Sequence, residues 1–260
     1  MPSITTSTDP RGVTTLTLNR PEKHNALDGE TLRELHDALA VIGSDAAVRV
    51  VVLTGAGASF CAGADIAHMR SMLNATEQQN LDDALVLARC LRALDELPQP
   101  VIARVNGNVF GGGVGLVACA DIAIAAESAR FALTEVRLGI VPAVISPYVV
   151  AAVGSREARR LFLSAAPFDA IEARALNLVH QAVAADQLDA AVEGQLDLLL
   201  RGGPVALRAA KKLVREAAAA TDRGAFSAET ALLLARLRVS PEGREGLTAF
   251  LERRKPDWQK

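Results

Sequence analysis

A chain of 260 residues, half of them hydrophobic but only 3% aromatic, is long enough to bury a large core and must fill it mainly with Ala, Val and Leu. Its formal net charge of −2 offers no global attraction for nucleic acid or an acidic membrane, so an anionic ligand has to be met by local donors. Cys61, Cys90 and Cys119 form no CxxC pair and the four histidines no HExxH, which argues against a disulfide framework and a zinc site and for a reducing compartment. The opening MPSITTSTDPRG has no basic stretch followed by an apolar one, and no run of about 18 apolar residues occurs anywhere; the expectation is a cytoplasmic globular protein with no membrane or nucleic-acid partner and no metal.

In chain order, residues 12–19 alternate at Leu16 and Leu18 and predict a half-buried strand. A polar turn from Arg20 to Asp28 leads into a helix with Leu32, Leu35, Leu39 and Ile42 on one face. Val48 to Thr54 is a β-branched run suited to a buried strand, and Gly55 to Gly63 reads as loop. Thr76 and Gln79 make a capping box for a long helix through Leu97, ended by Pro98 and Pro100. Val101 to Val105 is a second buried strand, followed by a turn at Asn106–Asn108 and three glycines, Gly111 to Gly113. Val114 to Ala120 suits a buried helix and Asp121 to Ala126 a strand. Beyond about Asp186 the pattern is helical, with Ser240-Pro241 as a helix start. The fold class is therefore α/β with covered sheets. Punctuation at Gly202-Gly203-Pro204 suggests a core over 1–200 and a helical region over 201–260, whose alanine-rich helices are suited to packing against another subunit.

Two loops share one physical design. SFCAGADI (59–66) and NVFGGGVG (108–115) each leave a strand, pass through small residues and open a helix. Bare backbone lets a ligand approach, and the N–H groups of a first helical turn have no intrahelical partner. Two such groups converging on one oxygen make an oxyanion hole, in which each donor is worth about 3 kcal/mol of transition-state stabilisation. Taken singly, each loop is more often plain turn chemistry. The dinucleotide fingerprint does not fit, because its acidic residue about 20 positions on would fall at Phe131. No GKS or GKT follows a glycine, and no serine sits in a GxSxG elbow.

Together the segments NRPEKHNAL (19–27), VVLTGAGASFCAGADI (51–66), VNGNVFGGGVGL (105–116), ADIAIAAESARFALTEVRLGIVP (120–142) and AFLERRKPDW (249–258) resemble the crotonase superfamily in order and spacing over nearly the whole chain. The resemblance implies a spiral core of ββα turns, a C-terminal helical trimerisation region, and trimers or dimers of trimers. It implies an acyl-CoA thioester substrate, with coenzyme A part of that substrate and no separate cofactor. Its carbonyl oxygen would be held by the amides of Ala64 and Gly112. Ala64 to Ala67, with Asp65 and Ile66 between them, would line the pantetheine and thioester end, and Ala62, Gly111 and Gly115 would also bind the substrate. Lys23 and Ala26 would border the nucleotide, and Arg253, from a neighbouring subunit, would reach its phosphates. Lys23 and Arg253 read equally well as solvated surface charges.

Many hydratases of this family carry two carboxylates. This chain has Glu135 at the second position and Gly115 at the first. Outside that frame Glu135 is an ordinary surface glutamate; within it, Leu138, Ile140 and Val141 are placed to desolvate the carboxyl and raise its pKa. Asp65 reads as a helix cap, Asp121 as the start of a strand, and His68 and His180 have no partner visible in sequence. One glutamate suffices for hydration or for moving a proton between C2 and C4 of an enoyl thioester. The stretch 131–150 resembles hydratases of methylglutaconyl-type thioesters, in which glycine at the Gly115 position is tolerated. That favours a hydratase of a branched or carboxylated acyl group, with Ser146 and Tyr148 as candidate water ligands. A Δ3,Δ2-enoyl-CoA isomerase and a non-catalytic acyl-CoA-binding scaffold are the alternatives.

Overall fold

The computed structural model describes residues 2–260. An antiparallel pair, β1 (Ile4–Thr8) and β2 (Val13–Leu18), opens the chain. The first strand, ITTST, is exposed at four of its five positions and lacks the apolar alternation by which a strand is recognised. Helix α1 (Gly29–Ser44) starts where Asp28 accepts a hydrogen bond from the Thr31 N–H, and buries the predicted Leu32, Leu35, Leu39 and Ile42. β3 (Val50–Gly55) is buried along its whole length and runs parallel to β2.

From here the chain repeats a strand–strand–helix turn. β3 is followed by β4 (Ser59–Cys61) and the helices α2 (Ile66–Ser71) and α3 (Glu77–Asp95). β5 (Val101–Val105) and β6 (Asn108–Phe110) lead to α4 (Gly112–Ala118). β7 (Ile122–Ala126) and β8 (Arg130–Ala132) lead through a short 3-10 turn, Glu135–Leu138, to α5 (Ser146–Ser164). β9 (Phe168–Asp169), α6 (Ala170–Ala175) and β10 (Gln181–Val183) complete the sheets. The first strand of each turn joins a sheet ordered β1-β2-β3-β5-β7-β10, and the second joins a smaller one ordered β4-β6-β8-β9. This is the ββα spiral expected from the resemblance. Phe60 and Phe131 are fully buried, and Phe131 stacks on Phe168 with centroids 5.5 Å apart. The capping box forms as predicted, since Thr76 Oγ1 accepts from the Gln79 N–H and the Gln79 side chain accepts from the Thr76 N–H.

Two expectations need correction. The stretch 55–63 is not all loop, and the turn at 106–108 gives way to strand at Asn108, because three-residue strands there form the second sheet. Such strands are too short to show a period. Their register sets the geometry of the two glycine loops. β4 and β6 lie parallel, with a register shift between Ser59 and Cys61 that leaves Cys61 opposite Val109, and the two loops that follow bring Ala64 and Gly112 to one cavity. Contact between the two loops is close enough that a Cβ on Gly63 would meet the Phe110 carbonyl oxygen at 2.9 Å, and Gly63 has φ +85.

The chain divides into two compact units, residues 1–97 with 101–193, and residues 98–100 with 194–260. The division falls inside α7 (Leu188–Leu200). Within the second unit, α8 (Pro204–Ala219), α9 (Arg223–Val239) and α10 (Pro241–Leu251) follow. Glu242 accepts from the Val205 and Ala206 N–H groups at the start of α8, and Ser240 caps α10 at the predicted Ser-Pro start. Among the described residues no helix is long and apolar enough to cross a membrane.

The stacked loops make a testable contrast between two glycines of positive φ. Gly139, at φ +75, has no atom within 4 Å of an added Cβ, so Gly139→Ala is expected to cost only the left-handed strain of about 1–2 kcal/mol. Gly63→Ala adds a clash with backbone and should lower the urea unfolding free energy by clearly more.

Candidate active site

Two backbone donors define the site. Among the described residues the Ala64 N–H has no hydrogen-bond partner, because the bridge to Leu27 uses its neighbours: the Leu27 N–H donates to the Gly63 carbonyl and the Asp65 N–H to the Leu27 carbonyl. The Gly112 N–H is the first of α4 and is likewise unpartnered, while the preceding Gly111 N–H donates to the Ala132 carbonyl. Both residues line one cavity of about 420 Å³. Glycine is required at 111, where φ is +48 and an added Cβ would sit 3.2 Å from Glu135 Oε1.

Glu135 enters the same cavity from the 3-10 turn after β8. Its Oε2 is buried without a hydrogen-bond partner. Burial pushes its carboxyl above the ordinary 4.5, against a smaller opposing effect of its own backbone N–H. Leu138, Ile140 and Val141 do line the cavity, yet each is more than half exposed. The close approach of Gly111 to Oε1 marks the floor against which the carboxylate rests. A carboxylate with one unpartnered oxygen, in one cavity with two free amides, is a group able to take up and return a proton next to a developing oxyanion.

A second carboxylate is absent because its space is filled. Gly115 is buried in α4, and a Cβ there would meet Ile145 Cγ2 at 2.5 Å and Leu91 Cδ2 at 3.4 Å. Gly115 is not among the residues that line the cavity. Ser146 and Tyr148 do not line it either; the Ser146 hydroxyl donates to the Ala143 carbonyl at the start of α5.

The Ala64 loop is held from behind by Asp65. Its buried carboxylate accepts from Arg20 at 2.9 Å, Lys23 at 3.1 Å, and the Ala67 and His68 N–H groups of α2. Burial alone would raise its pKa, but the bonds from Lys23, the two amides and Arg20 outweigh it and bring the carboxyl down to about 2. Arg20 also reaches Asp28 at 2.8 Å, tying the loop to the cap of α1. The helix cap expected of Asp65 is present, and the charge cluster is an addition that only the fold reveals.

Of the other residues singled out in the sequence, Ala62 and Gly111 line the cavity and Lys23, Ala26, Asp65, Ile66 and Ala67 do not. Ile66 and Ala67 are exposed on α2, Ala26 is buried, and the Lys23 ammonium is half exposed beside Asp65. Arg253 lies in the second unit, exposed, at φ +53. His180 has a partner after all, its Nδ1 accepting from the Ala123 N–H. His68 has one too: its Nε2 lies 2.9 Å from Asp83 Oδ1, and both line the cavity. No sequence signal links positions on two separate helices.

The chain matches the enoyl-CoA hydratase/isomerase family over residues 8–260. It belongs to that family. It is 36% identical to the crotonyl-CoA hydratase of Syntrophomonas wolfei over 94% of this chain and 93% of the relative. It is 33% identical to the 2,3-dehydroadipyl-CoA hydratase of Escherichia coli over 94% of each. The solved structure of Pseudomonas aeruginosa AtuE superposes with a TM-score of 0.96 at 39% identity, covering 99% of this chain and 100% of that one. The fold is thus the crotonase fold.

Because Asp65 titrates lower in the folded chain than its ordinary 3.8, it stabilises the fold above about pH 4, and that contribution fades as the pH falls toward 2. Urea midpoints of the wild type should drop through this window. Asp65→Asn should lie lower at neutral pH, by about 3 kcal/mol for a buried ion pair deprived of one member, and should be flatter below pH 4.

Proposed function

We propose that this family member is an enoyl-CoA hydratase. The observation that carries the reading is the pair of unpartnered amides, Ala64 and Gly112, in one cavity with a desolvated Glu135. The thioester carbonyl oxygen accepts from both amides. Glu135 takes a proton from water as the water oxygen bonds to C3, the C2–C3 π electrons move onto the thioester oxygen, and the enolate charge is met by the two donors. Glu135 then returns its proton to C2. A base of raised pKa suits both halves of the exchange.

The acyl group is proposed to be short and branched or carboxylated, of the methylglutaconyl type. The resemblance of residues 131–150 supports this, as does the carboxylated acyl chain named for the E. coli relative. Lys23 and Ala26 are proposed to border the nucleotide of coenzyme A, and Asp65 to Ala67 its pantetheine. Arg253 from a neighbouring copy would reach the phosphates. Association of copies is supported by the exposed apolar residues Phe250 and Leu251, at 80% and 79%, and Val214 at 69%. Light scattering is expected to give a mass of three or six times 27.3 kDa, and a monomer would remove the proposed route for Arg253.

Double-bond migration is the second reading, favoured by the apolar filling at Gly115, which leaves a single carboxylate. Turnover of a 2-enoyl-CoA and of a 3-enoyl-CoA in ¹⁸O-water separates the two: hydration places label at C3, and migration places none. In either case Glu135→Gln should lower kcat about 100-fold or more. The acid limb of kcat/KM should fall at a pH above the free-glutamate value of 4.5 and vanish in that variant. Undiminished turnover in Glu135→Gln would end the proposal.

A further inference from the structure

We propose that His68, held by Asp83, recognises an oxygen-bearing group about five bonds beyond the thioester carbonyl, which makes this enzyme selective for hydroxylated or carboxylated enoyl thioesters over plain alkyl ones. The inference rests on the reading of the cavity as the acyl site. Apart from Glu135 and its neighbour Thr134, the lining side chains with polar ends are His68 and Asp83, and the remainder of the wall is Ala, Gly, Pro, Leu, Ile, Val, Met and Phe. The pair stands at the edge of this wall, its side chains 26% and 36% exposed. Asp83 satisfies Nε2 of His68 at 2.9 Å. The other ring nitrogen, Nδ1, has no hydrogen bond among the described residues. With Nε2–H donated to Asp83, Nδ1 is an open acceptor for a substrate hydroxyl in the neutral ring and an open donor to a substrate carboxylate in the imidazolium.

Its depth follows from α3. Asp83, Leu87 and Leu91 lie on one helical stripe, one turn apart. Leu87 is the residue beside the oxyanion donors, its Cδ2 4.0 Å from where a Gly112 Cβ would stand, and Leu91 packs a turn further on, against Gly115. Asp83 lies one turn the other way, about 6 Å from Leu87 along the axis. His68 meets it from α2, whose first turn is fixed by Asp65. An extended chain advances about 3.6 Å in three bonds, so about 6 Å corresponds to an oxygen on the fifth or sixth carbon of the acyl group. A site that hydrogen-bonds a substrate oxygen discriminates against the analogue lacking it far better than an apolar pocket discriminates a methylene.

The test compares kcat/KM for three thioesters of matched length, hex-2-enoyl-CoA, 6-hydroxyhex-2-enoyl-CoA and 5-carboxypent-2-enoyl-CoA, in the wild type, His68→Leu, His68→Gln and Asp83→Asn. The wild type should prefer one or both oxygenated thioesters, and which one is preferred identifies the group as hydroxyl or carboxylate. The ratio to the alkyl thioester should fall about tenfold or more in His68→Leu, chiefly through KM, fall less in Asp83→Asn, and persist in His68→Gln, which keeps a hydrogen-bonding end. A wild type without preference, or a ratio unchanged in both His68→Leu and Asp83→Asn, overturns the inference. Ratios are read from residual activity, so a poorly folding His68→Leu leaves Asp83→Asn to decide. Glu135→Gln run alongside keeps the two readings apart: turnover that depends on Glu135 without selectivity at His68 defeats this inference alone, and turnover independent of Glu135 defeats the hydratase reading as well.

Discussion

The parallel register of β4 and β6 is the constraint on which the site depends. Cys61 lies opposite Val109, and both chains leave the small sheet through glycines of positive φ, Gly63 and Gly111. Each then offers one main-chain N–H that its own secondary structure does not use. Rigid sheet hydrogen bonds on one side, and the Asp65 cluster with Arg20 and Lys23 on the other, hold these donors without side-chain entropy to lose at the moment of reaction. Preorganised dipoles of this kind are the most effective way to stabilise a charge that develops on one oxygen.

Around that fixed pair the other groups are arranged by burial. Glu135 is carried in by the strand neighbouring β6, so the same sheet that positions the two glycine loops also positions this carboxylate. Its unpartnered Oε2 is a local cost that a stable surface glutamate would not carry. Burial there also raises the pKa of the carboxyl. The absence of a second carboxylate is equally a packing fact. Ile145 occupies the volume above Gly115, which makes this position part of the hydrophobic core.

The cavity therefore has two polar poles in an apolar wall. One is Glu135; the other is the His68–Asp83 pair, carried by α2 and α3. Both helices are anchored by caps, Asp65 for α2 and Thr76 with Gln79 for α3. Caps contribute about 1 kcal/mol each, and here they fix the starts of the two helices that bring His68 to Asp83.

The sequence by itself determined the alternation of strands and helices, the buried face of α1, the capping box at Thr76, the Ser-Pro start of α10 and the two glycine loops, because each is written in the period or chemistry of neighbouring residues. Its family motifs carried the pairing of Ala64 with Gly112 and singled out Glu135. The tertiary structure alone decided that β4 and β6 exist as strands, that Ile145 fills the space over Gly115, that Asp65 gathers two cations, and that His68 finds Asp83. Three-residue strands show no period. The remaining contacts join side chains from separate elements, whose meeting depends on sheet register and helix packing rather than on any spacing along the chain.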